Sequence, residues 1–206
     1  MFDVFLGMPH QVFLDSALVS STLGRFSYLS ADPFLVLRSK GNEVEIDWSG
    51  VIERIESDPF VVLQKLLKRF DLSPVPGLPP FQGGAIGYLA YELAHHLEKL
   101  PHHAVDDLGL SDMNIAFYDW VVARDHVTRE TWAISTGFPQ ASKVKAQERL
   151  DWVEERLSTV RHSGHGLVPR PKLTGLTSSF SRRGYTEAVK AVKEYIVSGD
   201  VYQANI

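Results

Sequence analysis

The 206-residue sequence contains no cysteine. That excludes a disulfide framework, zinc–thiolate sites, iron–sulfur clusters and thiol nucleophiles, and it fits a reducing, cytoplasmic setting. No apolar run approaches the ~20 residues of a membrane span. The opening Met1-Phe2-Asp3-Val4-Phe5 lacks the basic start and long apolar stretch of a signal peptide. A basic excess is missing too: the formal net charge is −4 with His neutral, which argues against a nucleic-acid binder. Repeats and low-complexity tracts are absent. What is present is a globular balance of 44% hydrophobic, 22% charged and 11% aromatic residues. A chain of this length buries roughly 70% of its unfolded surface.

Residues 34–48 read as a hairpin. Phe34-Leu35-Val36-Leu37 is apolar, Ser39-Lys40-Gly41-Asn42 is turn chemistry, and Val44, Ile46 and Trp48 alternate with Glu43, Glu45 and Asp47. Val12–Val19 and Arg25–Leu29 are expected as strands of the same sheet. Residues 59–70 read as a helix, with Asp58 as N-cap, Pro59 at the first position and Phe60, Leu63, Leu67 and Phe70 on one face. Five proline and glycine positions from Pro74 to Pro80 force an extended connection. Phe81–Tyr91 reads as a glycine-bearing strand leading into a short helix near Glu92–Leu100, followed by an acidic loop over 101–112. Ile115–Ala123 and Val127–Ser135 read as a second hairpin around Asp125-His126. Ala141–Val160 reads as a second helix with Ala146, Leu150, Val153, Leu157 and Val160 on its apolar stripe.

Residues 161–180, rich in Gly, Pro, Ser and Thr, read as a linker. A third helix is expected from Arg182 to Ser198, with Ser181 as N-cap, Gly199 as left-handed C-cap and a stripe of Tyr185, Ala188, Val189, Val192 and Ile196. The β-prone Asp200–Ile206 then has no hairpin mate, and strand donors need partners. The expectation is an N-terminal fragment or truncated product: a domain over 1–160, a linker over 161–180, and the start of a second domain over 181–206. The fold class expected is α/β (α+β), antiparallel sheets packed with helices.

Most chemistry-bearing residues have an ordinary structural reading. Gly83-Gly84-Ala85-Ile86-Gly87 fits neither the dinucleotide fingerprint nor the Walker pattern, so these are glycines of a packed or bulged strand. His95, His96, His102 and His103 cluster, but adjacent helical residues diverge by about 100°, and a solvated helix end is favoured over a metal site. Adjacent Asp106 and Asp107 read as a solvated loop rather than an acid/base pair. Ser16, Ser20 and Ser21 lie in no nucleophile elbow. Glu92 and Asp119 sit beside aromatic residues, where a strongly shifted pKa would mark a site. Arg182 and Arg183 open a helix, where cations gain nothing from the dipole, and read as solvated or as a surface for a partner.

Several ordered segments resemble the chorismate-utilising synthases, the large components of aminodeoxychorismate synthase and anthranilate synthase. They are Phe13-Leu14-Asp15-Ser16-Ala17, Gly24–Pro33, the run Leu78-Pro79-Pro80-Phe81-Gln82-Gly83-Gly84-Ala85-Ile86-Gly87-Tyr88, and Gly199-Asp200-Val201-Tyr202-Gln203-Ala204-Asn205-Ile206. Asp112–Val121 leans towards the aminodeoxychorismate branch, with anthranilate synthase as the alternative. The resemblance implies amination of chorismate with ammonia from a glutamine amidotransferase component, p-aminobenzoate and folate synthesis as the setting, and Mg²⁺ in the full-length enzyme.

It also implies a lysine in a Pro-Ile-Lys-Gly-Thr segment and acidic metal ligands, none of which occurs in this sequence. No cofactor and no catalytic residue is therefore expected in this chain, which is expected to be inactive without a C-terminal chorismate-binding domain. The resemblance further implies a tryptophan-like pocket lined by Ser16, Leu23, Gly24, Arg25 and Phe26, where Leu23-Gly24 depart from the tyrosine and serine of the family pattern. The non-catalytic alternative is a module that binds an aromatic amino acid or docks a subunit.

Overall fold

The computed structural model describes residues 2–16, 18, 23–101, 105–159, 175 and 177–206. The chain divides into two units, Met1–His162 and Ser163–Ile206.

In the first unit, strands β1 (Val12–Leu14), β2 (Phe26–Ser30), β8 (Trp120–Asp125) and β9 (Thr131–Ser135) form an antiparallel sheet in the order β1-β2-β8-β9. A second antiparallel sheet has the order β5-β4-β3-β7-β6, from β3 (Leu35–Lys40), β4 (Glu43–Trp48), β5 (Val51–Glu56), β6 (Gly84–Leu89) and β7 (Met113–Tyr118). The mixed architecture is the expected one, but β1 and β2 belong to a different sheet from the β3–β4 hairpin. That correction has a physical reason. Alternation fixes which face a strand buries, not which strand it pairs with. The hairpin also continues into β5, whose exposed Val51 and Ile52 give no clear period-two pattern.

Helix α1 (Pro59–Arg69) starts as its sequence dictates: the Asp58 carboxylate accepts from the backbone N–H of Phe60 at 2.8 Å, and Pro59 needs no donor. Its Val62 and Leu66, with the C-cap residue Phe70, pack in one cluster with Leu35, Leu37, Val44, Ile46, Met113, Ile115 and Phe117 of the five-stranded sheet. The opposite face of that sheet buries Val36, Ala116 and Tyr118, with Val12 of the other sheet against them. Helix α2 (Lys143–Ser158), capped by Ser142, puts Val153 into a cluster with Leu29, Trp120 and Val122 of the four-stranded sheet and with Phe5 of the 3₁₀ helix Phe2–Phe5. The Trp120 indole N–H donates to the Ala31 carbonyl at 2.9 Å, and Phe5 and Trp152 pack on its ring.

The expected strand Ile115–Ala123 is two strands. β7 ends at Tyr118, β8 starts at Trp120, and the buried corner residue Asp119 carries the chain from one sheet to the other. Both halves are buried on both faces, so no polar alternation marks the break. The short helix after β6 is a 3₁₀ helix over Tyr91–His96. Gly87 lies so close to β7 that a Cβ there would meet the Asn114 carbonyl oxygen at 1.9 Å, the packed-strand role expected of these glycines.

In the second unit, α3 spans Arg182–Ser198; the Ser181 hydroxyl accepts from Gly184 N–H at 3.1 Å, and Gly199 closes it at φ +84°. No α3 side chain is buried within the described residues. Residues 200–206 form no strand among the described residues; the Asp200 N–H donates to the Tyr195 carbonyl at 2.9 Å, and the Asp200 carboxylate accepts from the Ser198 hydroxyl at 2.6 Å. The linker expected over 161–180 lies mostly outside the described residues.

Candidate functional site

The Ser16 and Arg25–Phe26 segments meet at the start of β2. The Ser16 hydroxyl donates to the Phe26 carbonyl at 3.2 Å. Arg25 Nε and Nη2 both donate to Asp125 Oδ2, at 2.8 and 2.6 Å, and the Arg25 guanidinium lies 5.0 Å from the centre of the Phe26 ring. Phe26 stacks on Tyr28, which meets Phe81 edge-on. Burial pushes the Tyr28 hydroxyl above its ordinary range. Leu23 is exposed. Gly24 has φ +69°, and a Cβ there would fall 2.0 Å from the Leu18 carbonyl oxygen. The glycine that departs from the family pattern is thus required by the backbone beside it.

Sequence reasoning missed the residues that hold this group together. Asp125 is buried. Its Oδ1 accepts from the N–H groups of Val127 and Thr128 at 2.8 and 3.3 Å, while Oδ2 takes Arg25. The Arg25 hydrogen bond, supported by those backbone donors, holds the Asp125 carboxyl well below the usual carboxylate range. Ser27, also buried, donates to Asp15 Oδ1 at 2.7 Å and lies 2.6 Å from His126 Nε2. A hydroxyl has one proton, and here it goes to Asp15. His126 Nε2 therefore carries the hydrogen that reaches Ser27. The sequence signal for these partners was only the turn pair Asp125-His126, read as a hairpin corner.

Other candidates separate. Ser20, Ser21, His102 and His103 lie outside the described residues. His95 is exposed, and among the described residues no group of three or more His, Asp or Glu could hold a metal ion. Asp106, read as a solvated loop residue, pairs with Lys40 at 2.7 Å, and Asp107 is exposed. Lys40 also reaches Asp112, and these two carboxylates raise its pKa. Glu92 is exposed, whereas Asp119 is buried and burial raises its pKa, with Arg149 pulling the other way without cancelling it. Among the described residues no helix is long and apolar enough to cross a membrane.

Residues 15–206 match the family model of the chorismate binding enzymes. The chain is 31% identical over 204 residues to aminodeoxychorismate synthase component 1 of Escherichia coli K12, covering 97% of this chain and 41% of that protein. It is 28% identical over 200 residues to anthranilate synthase component 1 of Acetivibrio thermocellus, covering 92% of this chain and 40% of that protein. The chain thus spans about two fifths of the length of these curated relatives. The crystal structure of anthranilate synthase component I from Streptococcus pneumoniae TIGR4 superposes with a TM-score of 0.58 at 21% identity, over 90% of this chain and 41% of that one, and shares its fold. On the match across residues 15–206, the chain belongs to the chorismate binding enzyme family.

Proposed function

We propose that the chain is the N-terminal part of an aminodeoxychorismate synthase component I, which aminates chorismate to 4-amino-4-deoxychorismate in a cytoplasmic p-aminobenzoate and folate route. The supporting observation is the series of family-like segments at 13–17, 24–33, 78–88 and 199–206, in family order, within a chain about 30% identical to relatives of that name. Anthranilate synthase component I is the alternative. Residues 181–206 would open the chorismate-binding domain, and a glutamine amidotransferase would supply ammonia. Mg²⁺ of the full-length enzyme would be held by acids of the chorismate-binding domain, in keeping with the lack of a converging acid group among the described residues.

The test mixes the purified chain with chorismate, glutamine, Mg²⁺ and an amidotransferase component, with and without a separately produced C-terminal chorismate-binding domain. The chain alone should give no product, because the Pro-Ile-Lys-Gly-Thr segment is absent. The reconstituted pair should give 4-amino-4-deoxychorismate. Anthranilate would transfer the assignment to the other branch, and product from the chain alone would refute the reading.

We further propose that Ser16, Leu23, Gly24, Arg25 and Phe26 line a tryptophan-like pocket. In support, Ser16 bonds the Phe26 carbonyl and Arg25 lies over the Phe26 ring, which with the stacked Tyr28 ring offers an apolar wall for an indole. Arg25 already gives Nε and Nη2 to Asp125, so an amino-acid carboxylate would take the remaining Nη1. Calorimetric titration with tryptophan decides: heat that is lost in Arg25→Ala supports the pocket, and no heat from a folded sample removes it.

A further inference from the structure

A second acid-bearing cavity lies away from the Ser16–Arg25 group. A cleft of about 590 Å³ opens between α2, the Asp119 corner and the Asp32–Phe34 segment, with Trp48 and Phe138 also on its wall. That volume suits a small organic molecule. Asp119 lines it with a side chain only 6% exposed, and its Oδ1 has no hydrogen-bond partner among the described residues. Buried carboxylate oxygens are ordinarily satisfied. One cation serves both acids here: Arg149 donates from Nε to Asp119 Oδ2 at 3.1 Å and from Nη1 to Asp32 Oδ2 at 3.2 Å. On the rim, Lys145 and Glu148 pair with each other at 2.7 Å and cancel. Within hydrogen-bonding distance the two carboxylates share one guanidinium, while the Arg69 and Arg156 guanidinium groups lie over the Trp48 and Trp152 rings, at 5.0 and 4.5 Å, so Asp119 and Asp32 are short of one direct cationic partner. An anionic ligand would face both acids, and the guanidinium is already shared. A neutral ligand would leave the imbalance in place.

We infer that this cleft binds a small primary amine, its ammonium group held by Asp119 and Asp32 and its apolar body by Phe34, Trp48 and Phe138. Arg149, a quarter exposed, is the movable cover: keeping its bond to Asp32 while releasing Asp119 opens both Asp119 oxygens to the ammonium group. Burial raises the Asp119 pKa, and Arg149, shared with Asp32, lowers it without cancelling that effect.

The test titrates the full chain with benzylammonium, and in parallel with benzyl alcohol and benzoate, following tryptophan indole signals by NMR. The Trp48 signal is assigned by its loss in Trp48→Phe. Benzylammonium should shift the Trp48 signal saturably below about 10 mM, while the neutral and anionic probes should not. Asp119→Asn should weaken binding at least about tenfold, the scale of a charged hydrogen bond. Should Asp119→Asn fail to fold, Asp32→Asn, on the more exposed acid, reads the same loss. Equal response to benzyl alcohol, no response to benzylammonium, or binding unchanged in the foldable acid variant overturns the inference. None of these outcomes depends on chorismate chemistry, so the proposed function stands or falls separately.

Discussion

Strand β8 has a buried aspartate at each end, and each meets an arginine: Asp119 precedes it and pairs with Arg149, while Asp125 ends it and pairs with Arg25. The two ends differ in saturation. Asp125 accepts from two arginine nitrogens and two turn N–H groups, so both its oxygens are satisfied. Asp119 shares its arginine with Asp32, and its Oδ1 has no partner among the described residues. Their pKa values move in opposite directions, down at Asp125 through hydrogen bonds and up at Asp119 through burial. A saturated carboxylate fixes the fold around it. An unsaturated one leaves a demand that a ligand can meet.

Removing the saturated end should have the largest effect. Asp125→Ala frees Arg25 and strips the acceptor from the Val127 and Thr128 N–H groups, so the thermal midpoint should fall by on the order of 10 °C. A fall no larger than that of Asp119→Asn would break the comparison. Asp119→Asn itself should move the midpoint by less than about 3 °C at neutral pH, because the lost charge was poorly compensated.

The pH dependence sharpens the same contrast. With its folded pKa raised above the unfolded 3.8, Asp119 contributes stability below that value and loses it as pH rises through the folded pKa. Asp119→Asn should therefore gain on the parent chain as pH rises from 3.8. Asp125 has the reverse sign: its contribution is present above 3.8 and is lost as pH falls through the depressed folded value. Asp125→Asn should consequently approach the parent as pH falls below 3.8. Denaturant titrations across this range would show two slopes of opposite sign; slopes of one sign would contradict the assignment.

Smaller effects test the surroundings. Ser27→Ala removes the links to Asp15 and His126 and should cost about 1 kcal/mol in denaturant unfolding. Least of all, Lys145→Ala on the cleft rim breaks an exposed pair and should shift the midpoint by less than about 1 °C.

The helices were legible because their signals are local. Asp58-Pro59 and Ser181 cap α1 and α3 where a side-chain oxygen can reach an N–H two or three residues on, and Gly199 ends α3 in the left-handed conformation, whereas the start of α2 at Lys143, two residues after the expected Ala141, follows a Ser142 cap that the stripe of apolar residues did not mark. The β3–β4 hairpin was legible from its alternation. The sheet partition was not, because pairing of β2 with β8 joins residues roughly a hundred positions apart. The same holds within the sites. Ser16, Arg25 and Phe26 stood out by motif, but Asp125, His126 and Ser27 became partners only through that pairing.

The sequence by itself determined the mixed class, the caps of α1 and α3, the family segments and the absence of thiol chemistry, since each depends on residue type and short spacing. Only the tertiary structure decided that a single apolar run crosses from one sheet to the other at Asp119, and which arginine each buried acid receives. Those outcomes depend on burial and on contacts between distant segments, and no local pattern encodes the dielectric around a carboxylate.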